Sequence, residues 1–144
     1  MNNEKGFYTL KGYQRNEIND LTASMEDYLE MICRILRKTE VVRINELANK
    51  LHVKPSSASK MVHNLKEAGY IKFQKYGYIA VTKKGIETGE YLLHRHDVLH
   101  NLLCMINQTD NELNQVEKME HFINETTVNN IEKFLNEIGK AKET

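Results

Sequence analysis

A mainly α-helical fold carrying one small β-hairpin is predicted by three observations. Apolar residues recur at three- and four-residue spacing over most of the chain after residue 20. Two short strand-like runs, Tyr70 to Gln74 and Tyr78 to Thr82, bracket Lys75-Tyr76-Gly77. Directly before them stand two short helical segments joined by a tight turn, the second closed by Gly69. Two helices, a turn and then a hairpin make a winged helix-turn-helix. The expected organisation is a flexible N-terminal arm over residues 1–20, the winged helix-turn-helix over 21–83, and a helical region over 84–144.

Each element has its own signal. Residues 1–20 show no sustained period, although Phe7, Tyr8 and Tyr13 are large enough to dock. Thr22 or Ser24 can cap the first helix, and acidic residues follow in its first turn. Met25, Tyr28, Leu29, Ile32, Ile35 and Leu36 then form one apolar face as far as Lys38. The next helix spans Ile44 to Leu51, with Ile44, Leu47, Ala48 and Leu51 as its buried stripe, and Val53 in the following turn is expected to point inward. Pro55 suits the first turn of a third helix, Ser56 to Ala68, which buries Ala58, Met61, Val62 and Leu65. Gly77 supplies the backbone freedom of the hairpin turn. A long helix from Lys84 to Ile106 follows, its start mildly weakened by Gly85 and Gly89. Helices over Glu112 to Ile123 and Thr126 to Ile138, the last stopped by Gly139, complete the chain.

The 144 residues suffice for a real core, and no stretch approaches the roughly 18 apolar residues of a membrane span. Met1 to Tyr8 lacks the apolar centre of a signal peptide, so a cytoplasmic protein without membrane partners is expected. Cys33 and Cys104 each sit in an apolar helical run and are expected to be reduced and structural. Net charge is zero, but it is sorted along the chain. Residues 41–84 carry nine basic and two acidic side chains, whereas residues 85–144 carry five basic and eleven acidic ones. A phosphate-binding face joined to an acidic partner region has this pattern.

That block contains the expected reading head for double-stranded DNA. Pro55, Ser56, Ser57, Ser59, Lys60 and Asn64 belong to the second helix of the motif, and Lys54 precedes it. Hydroxyls and backbone amides at a helix start suit phosphates, and outward side chains reach base edges in the major groove. Lys72, Lys75 and Tyr76 would set the wing against the backbone or minor groove. Few long donors face outward, so shape readout carries part of the specificity.

A second set is scattered: Asp27, Glu30, His96, Glu117, Glu120 and His121. Asp27 and Glu30 share one helix face, as do Glu117, Glu120 and His121. Four carboxylates brought together oppose closure unless a cation offsets them. Carboxylate oxygen with imidazole and no sulfur suits Mn2+ or Fe2+. Six ligands could also hold two ions with a bridging carboxylate. Taken singly, each residue has another use. Asp27 follows Ser24 at capping-box spacing, Glu30 and Glu117 suit a solvated surface, and His96 suits an interface, with His100 one turn further as its rival.

Four segments, in order, resemble the diphtheria-toxin-repressor family of metal-dependent regulators. Leu21-Thr22-Ala23-Ser24-Met25-Glu26-Asp27-Tyr28-Leu29-Glu30 resembles its opening helix, and Pro55-Ser56-Ser57-Ala58-Ser59-Lys60-Met61-Val62 its recognition helix. Lys75-Tyr76-Gly77 with Arg95-His96 is similar to its wing and linking helix, and Val116-Glu117-Lys118-Met119-Glu120-His121 to its second ligand cluster. The resemblance covers residues 21–138 and is strongest to the manganese-responsive branch, which also lacks an SH3-like third domain. It implies that Asp27 and Glu117 replace the sulfur ligands of the iron-responsive branch, with Glu30, His96, Glu120 and His121 completing a site for a pair of Mn2+ ions per subunit. It further implies a repressor of manganese-uptake genes. Three departures stand out: a longer arm before Leu21, a loop at Asn107–Asn111 one residue shorter, and Phe122 where a second histidine often follows.

A homodimer is expected because operators are read as paired half-sites. The C-terminal helices also carry more apolar positions than one winged domain covers: Leu92, Leu99, Leu102, Leu103, Phe122, Ile131 and Phe134. The full fold class is therefore mainly α with a small β-hairpin, an N-terminal winged helix-turn-helix plus a C-terminal helical dimerisation domain. The chain is not read as an enzyme, since it lacks His-Glu-x-x-His and a nucleophile beside a base. The alternatives are a regulator of the same fold answering to Fe2+, Co2+, Cd2+ or Zn2+, or a winged-helix regulator of a small organic ligand. The carboxylate cluster argues against an organic substrate.

Overall fold

The computed structural model describes residues 21–143. The expected arm over residues 1–20, with Phe7, Tyr8 and Tyr13, lies outside the described residues. Helix α1 spans Ala23–Lys38 and is capped by Thr22, whose hydroxyl accepts the Met25 N–H at 3.2 Å. Ser24 lies inside the helix, so the capping-box role open to Asp27 is not taken. Met25, Tyr28, Leu29, Ile32 and Ile35 are buried, as the apolar face requires.

Helices α2 (Ile44–Leu51) and α3 (Pro55–Glu67) form the helix-turn-helix. Leu47, Ala48, Ala58, Val62 and Leu65 are buried, while Ile44, Leu51 and Met61 are half-buried against the same core. Val53 departs from expectation and stands 36% exposed. The turn is held through its backbone instead: His52 is left-handed at φ 56, and the Val53 N–H bonds the Ala48 carbonyl at 3.0 Å. Pro55 is in the first turn of α3, and Gly69 takes a left-handed φ of +88 just beyond it.

Strands β1 (Ile71–Phe73) and β2 (Ile79–Val81) pair antiparallel, Ile71 opposite Val81 and Phe73 opposite Ile79. They are shorter than the expected runs, though the Gln74 N–H on the Tyr78 carbonyl and the Thr82 N–H on the Tyr70 carbonyl continue the pairing at both ends; Lys75–Gly77 forms a tight turn with Tyr76 (φ 64) and Gly77 (φ 74) left-handed. The wing is tied to the chain before α2 by the Ile79 N–H on the Val42 carbonyl, 2.9 Å.

Helix α4 spans Lys83–Asn107 and is capped by Thr82. Gly85 and Gly89 do more than weaken its start. A Cβ at Gly85 would collide with the Tyr70 carbonyl oxygen, and one at Gly89 with the Cys33 sulfur. These glycines let α4 lie against the hairpin and α1. Beyond α4 the expected single helix divides into α5 (Leu113–Met119) and a 3-10 turn, Glu120–Phe122. Helix α6 spans Glu125–Glu143 and runs through Gly139 without stopping, since one exposed glycine costs a helix only about 1 kcal/mol.

Two cores result. The first joins α1, α2, α3 and the hairpin and reaches Leu92 on α4. The second is built from Leu99, Leu103 and Val116, with Met119, Ile123 and Ile131 packed around them. Helix α4 therefore serves both cores. Of the apolar residues the sequence could not sort, Leu92, Leu99 and Leu103 are buried within the protomer, while Phe122 and Phe134 are exposed. Cys33 and Cys104 are both free thiols.

Candidate metal centre and nucleic-acid interface

The six scattered residues meet where α1, α4, α5 and the 3-10 turn after α5 converge. Their ligand atoms form two overlapping groups, each with all atoms within 4.8 Å of one another. One group is Asp27, Glu117, Glu120 and His121; the other is Glu30, His96, Glu117 and Glu120. Helical spacing explains the delivery. Asp27 and Glu30 lie three apart on α1, and the 3-10 turn after α5 swings Glu120 and His121 inward beside Glu117. His100, the rival to His96, belongs to neither group; its Nε2 accepts the Glu112 N–H at 3.1 Å.

The contacts define the electrostatics. His96 Nδ1 lies 3.1 Å from Glu120 Oε2 and 3.9 Å from Glu117 Oε1. His121 Nε2 lies 2.9 Å from Asp27 Oδ1 and 3.8 Å from Glu120 Oε1. Burial pushes the Glu30 carboxyl up to about 7, with the Glu120 charge adding to it and Arg34 and His96 opposing. Burial also raises Glu117, reinforced by Glu120 and Asp27. The hydrogen bond that His96 donates to Glu120 raises His96 against the pull of burial. For His121, burial lowers the imidazole, but the hydrogen bonds and charges of Asp27 and Glu26 outweigh it and hold it at about 10.

These residues fit a hard divalent cation. The donors are carboxylate oxygens and imidazole nitrogens, with no sulfur among them. Glu120 is 1% exposed, and its Oε1 has no hydrogen-bond partner. A buried carboxylate oxygen left so is costly unless something cationic faces it.

Sequence reasoning missed two members of the surroundings, Glu26 and Arg95. Arg95 is buried and grips Glu26 with both terminal nitrogens, at 3.4 and 3.3 Å. Glu26 Oε1 in turn lies 2.8 Å from His121 Nδ1. Each stands beside a proposed ligand in sequence, next to Asp27 and His96 respectively, and that adjacency was the available signal.

The proposed DNA-contacting residues occupy one outward system. Lys54, Pro55, Ser56, Ser57, Lys60 and Asn64 are exposed on and before α3, and Ser59 is half-buried. Lys72, Lys75 and Tyr76 are exposed on the wing, Tyr76 at 83%. Asp27 lines a cavity of about 390 Å³ together with Ser57 and Lys60, so the ligand cluster and the recognition helix share a wall.

Residues 20–79 match the iron dependent repressor N-terminal DNA binding domain, and residues 82–143 match the iron dependent repressor metal binding and dimerisation domain. The chain is 35% identical over 111 residues to the HTH-type transcriptional regulator MntR of Lysinibacillus sphaericus, covering 76% of this chain and 80% of that one. It is 34% identical to the regulator of the same name in Bacillus subtilis, covering 76% and 78%. Among solved structures it resembles the manganese regulator SloR at a TM-score of 0.69 and 26% identity, covering 81% of this chain and 55% of that one. The metal-dependent transcriptional regulator MtsR gives a TM-score of 0.70 at 26% identity, again covering 81% and 55%. The chain thus spans about half the length of these two regulators.

Proposed function

This chain belongs to the iron-dependent repressor family of metal-dependent transcriptional repressors, and on that premise we propose that it is a manganese-responsive repressor. It binds a palindromic operator as a metal-loaded homodimer and controls manganese-uptake genes. Residues 21–83 act as the reading head and 84–144 as the metal-binding and dimerisation region. The observation that carries this reading is the pair of ligand groups sharing Glu117 and Glu120, free of sulfur, across elements from both halves. The likeness to the manganese regulator SloR supports the choice of ion.

Asp27, Glu117, Glu120 and His121 would hold one Mn2+, and Glu30, His96, Glu117 and Glu120 a second. The ions supply positive charge to a pocket that has too little of it. Without that charge the crowded carboxylates resist ionisation, as the raised Glu30 and Glu117 carboxyls record. With the charge balanced, Asp27 and Glu30 hold α1 against α4 and the turn after α5, and one arrangement of the reading heads is favoured. Lys54, Ser56, Ser57, Ser59, Lys60 and Asn64 then meet the major groove, with Lys72, Lys75 and Tyr76 on the flank. Exposed Phe122 and Phe134 suit burial against a second copy. Such a regulator works in the cytoplasm, and no described helix is long and apolar enough to cross a membrane.

The test is operator affinity titrated with Mn2+ at fixed salt. Affinity rises with Mn2+ on this reading, and Fe2+, Co2+, Cd2+ and Zn2+ serve as competitors for rank. A binding curve indifferent to every one of these ions would reject the metal-sensor mechanism. A rise with Fe2+ alone would favour the iron reading.

A further inference from the structure

The ligand groups leave one buried ionic arrangement unused. Arg95 is 3% exposed, Glu26 is 9% exposed, and no residue of the pair belongs to either ligand group. Arg95 Nη1 and Nη2 lie 3.4 and 3.3 Å from the two Glu26 oxygens, a fork against a fork. Glu26 Oε1 also lies 2.8 Å from His121 Nδ1. Arg95 Nη2 approaches the same ring nitrogen at 3.3 Å, but a guanidinium nitrogen only donates. A carboxylate oxygen only accepts. The consistent assignment has both Arg95 Nη2 and His121 Nδ1 donating to Glu26 Oε1, which fixes the ring's orientation and leaves Nε2 on the side of Asp27 and Glu120.

We propose that Glu26 and Arg95 are positioning residues for metal capture, Glu26 aiming the His121 ring so that Nε2 faces the ligand pocket and Arg95 holding Glu26 in place. The geometry of α1 makes this possible. Neighbouring residues on a helix point about 100° apart, so Asp27 faces the pocket while Glu26 faces Arg95 and the rear of the imidazole. A ligating histidine commonly hands its second nitrogen to a carboxylate, and removing that partner costs 10- to 100-fold in metal affinity. The pair spans 69 residues of sequence and joins α1 to α4, so it also sets the distance over which the ligands must close.

The inference rests on the manganese reading of the same site, and its test separates the two. Mn2+ binding to the full chain is followed by the loss of the free-ion EPR signal for the parent, Glu26→Ala, Glu26→Gln and Arg95→Met. Thermal unfolding in chelator reports the fold of each. Glu26→Ala is expected to lose about 10- to 100-fold in Mn2+ affinity. Glu26→Gln keeps an acceptor for Nδ1–H but loses the charge, and is expected to lose roughly 3- to 10-fold, a partial rescue. A purely structural pair would lower the unfolding temperature in chelator and leave the affinity of folded protein unchanged. Parent-like affinity in folded Glu26→Ala overturns the proposal; if that variant does not fold, parent-like affinity in Glu26→Gln does so. A parent that binds no Mn2+ overturns the manganese reading and this inference with it.

Discussion

At the scale of single residues, the cluster is a store of unfavourable charge. Glu30 carries its proton to about 7 because it is buried and faces Glu120 and Glu117, with only Arg34 and His96 in opposition. Folding therefore takes up a proton there between the usual carboxylate range and about pH 7, so stability falls as pH rises through that window. His121, held at about 10 by Asp27 and Glu26, contributes stability that is complete below about pH 6.5 and is lost as pH rises through 10. Both signs agree. Urea denaturation in chelator is expected to give a lower midpoint at pH 8 than at pH 5.5, and saturating Mn2+ should reverse that order because ligands must shed protons to bind it. A metal-free midpoint that rises with pH would contradict the charge account. That these six residues come together was legible in the sequence, although Glu120 and His121 lie on a 3-10 turn and not on one helix face with Glu117. Glu26 and Arg95 were not, because a contact between residues so far apart leaves no period to read, and a glutamate in a first helical turn looks like an ordinary dipole partner.

At the scale of elements, helical period located the helices of the described residues, and its errors share one cause: tertiary contacts decide ends and breaks. The 3-10 turn at Glu120–Phe122 interrupts what reads as one helix, because Glu120 is drawn into the buried cluster. Val53 looked inward from its apolar character alone, yet the left-handed His52 turns its side chain out. Gly85 read as a weak helix residue, while its lack of a Cβ is what admits the Tyr70 carbonyl. Gly85→Ala should therefore destabilise despite its better helix propensity, by about 1–3 kcal/mol of overpacking. Chemical denaturation of the two proteins in parallel measures it, and an alanine variant equal to or more stable than the parent would show that the junction of hairpin and α4 yields easily.

At the scale of the whole molecule, zero net charge conceals a basic head on an acidic body, nine basic and two acidic residues over 41–84 against five and eleven over 85–144. Long-range attraction to DNA then orients the approach, head first. Lys60→Gln is expected to weaken operator binding in a sequence-independent way and to reduce the slope of log affinity against log salt by about one. A slope identical to the parent's would show that Lys60 touches no phosphate. The basic segment lies largely within the match to the DNA binding domain, and the acidic segment within the match to the metal binding and dimerisation domain. The sharing of α4 between two cores was not legible in the sequence, since burial on one side of a long helix and on another produces the same apolar residues in sequence.

Helix α1 lies in the first core through Leu29 and Ile32 and presents Asp27 and Glu30 to the ligand cluster. The proposed metal-sensing residues and part of the core beneath the reading head thus share one helix. A lesion that deafens such a device by moving α1 also disturbs the fold of the reading head. Variants that stay well folded and bind DNA while ignoring metal should map to the ligand side chains, and seldom to any connecting segment.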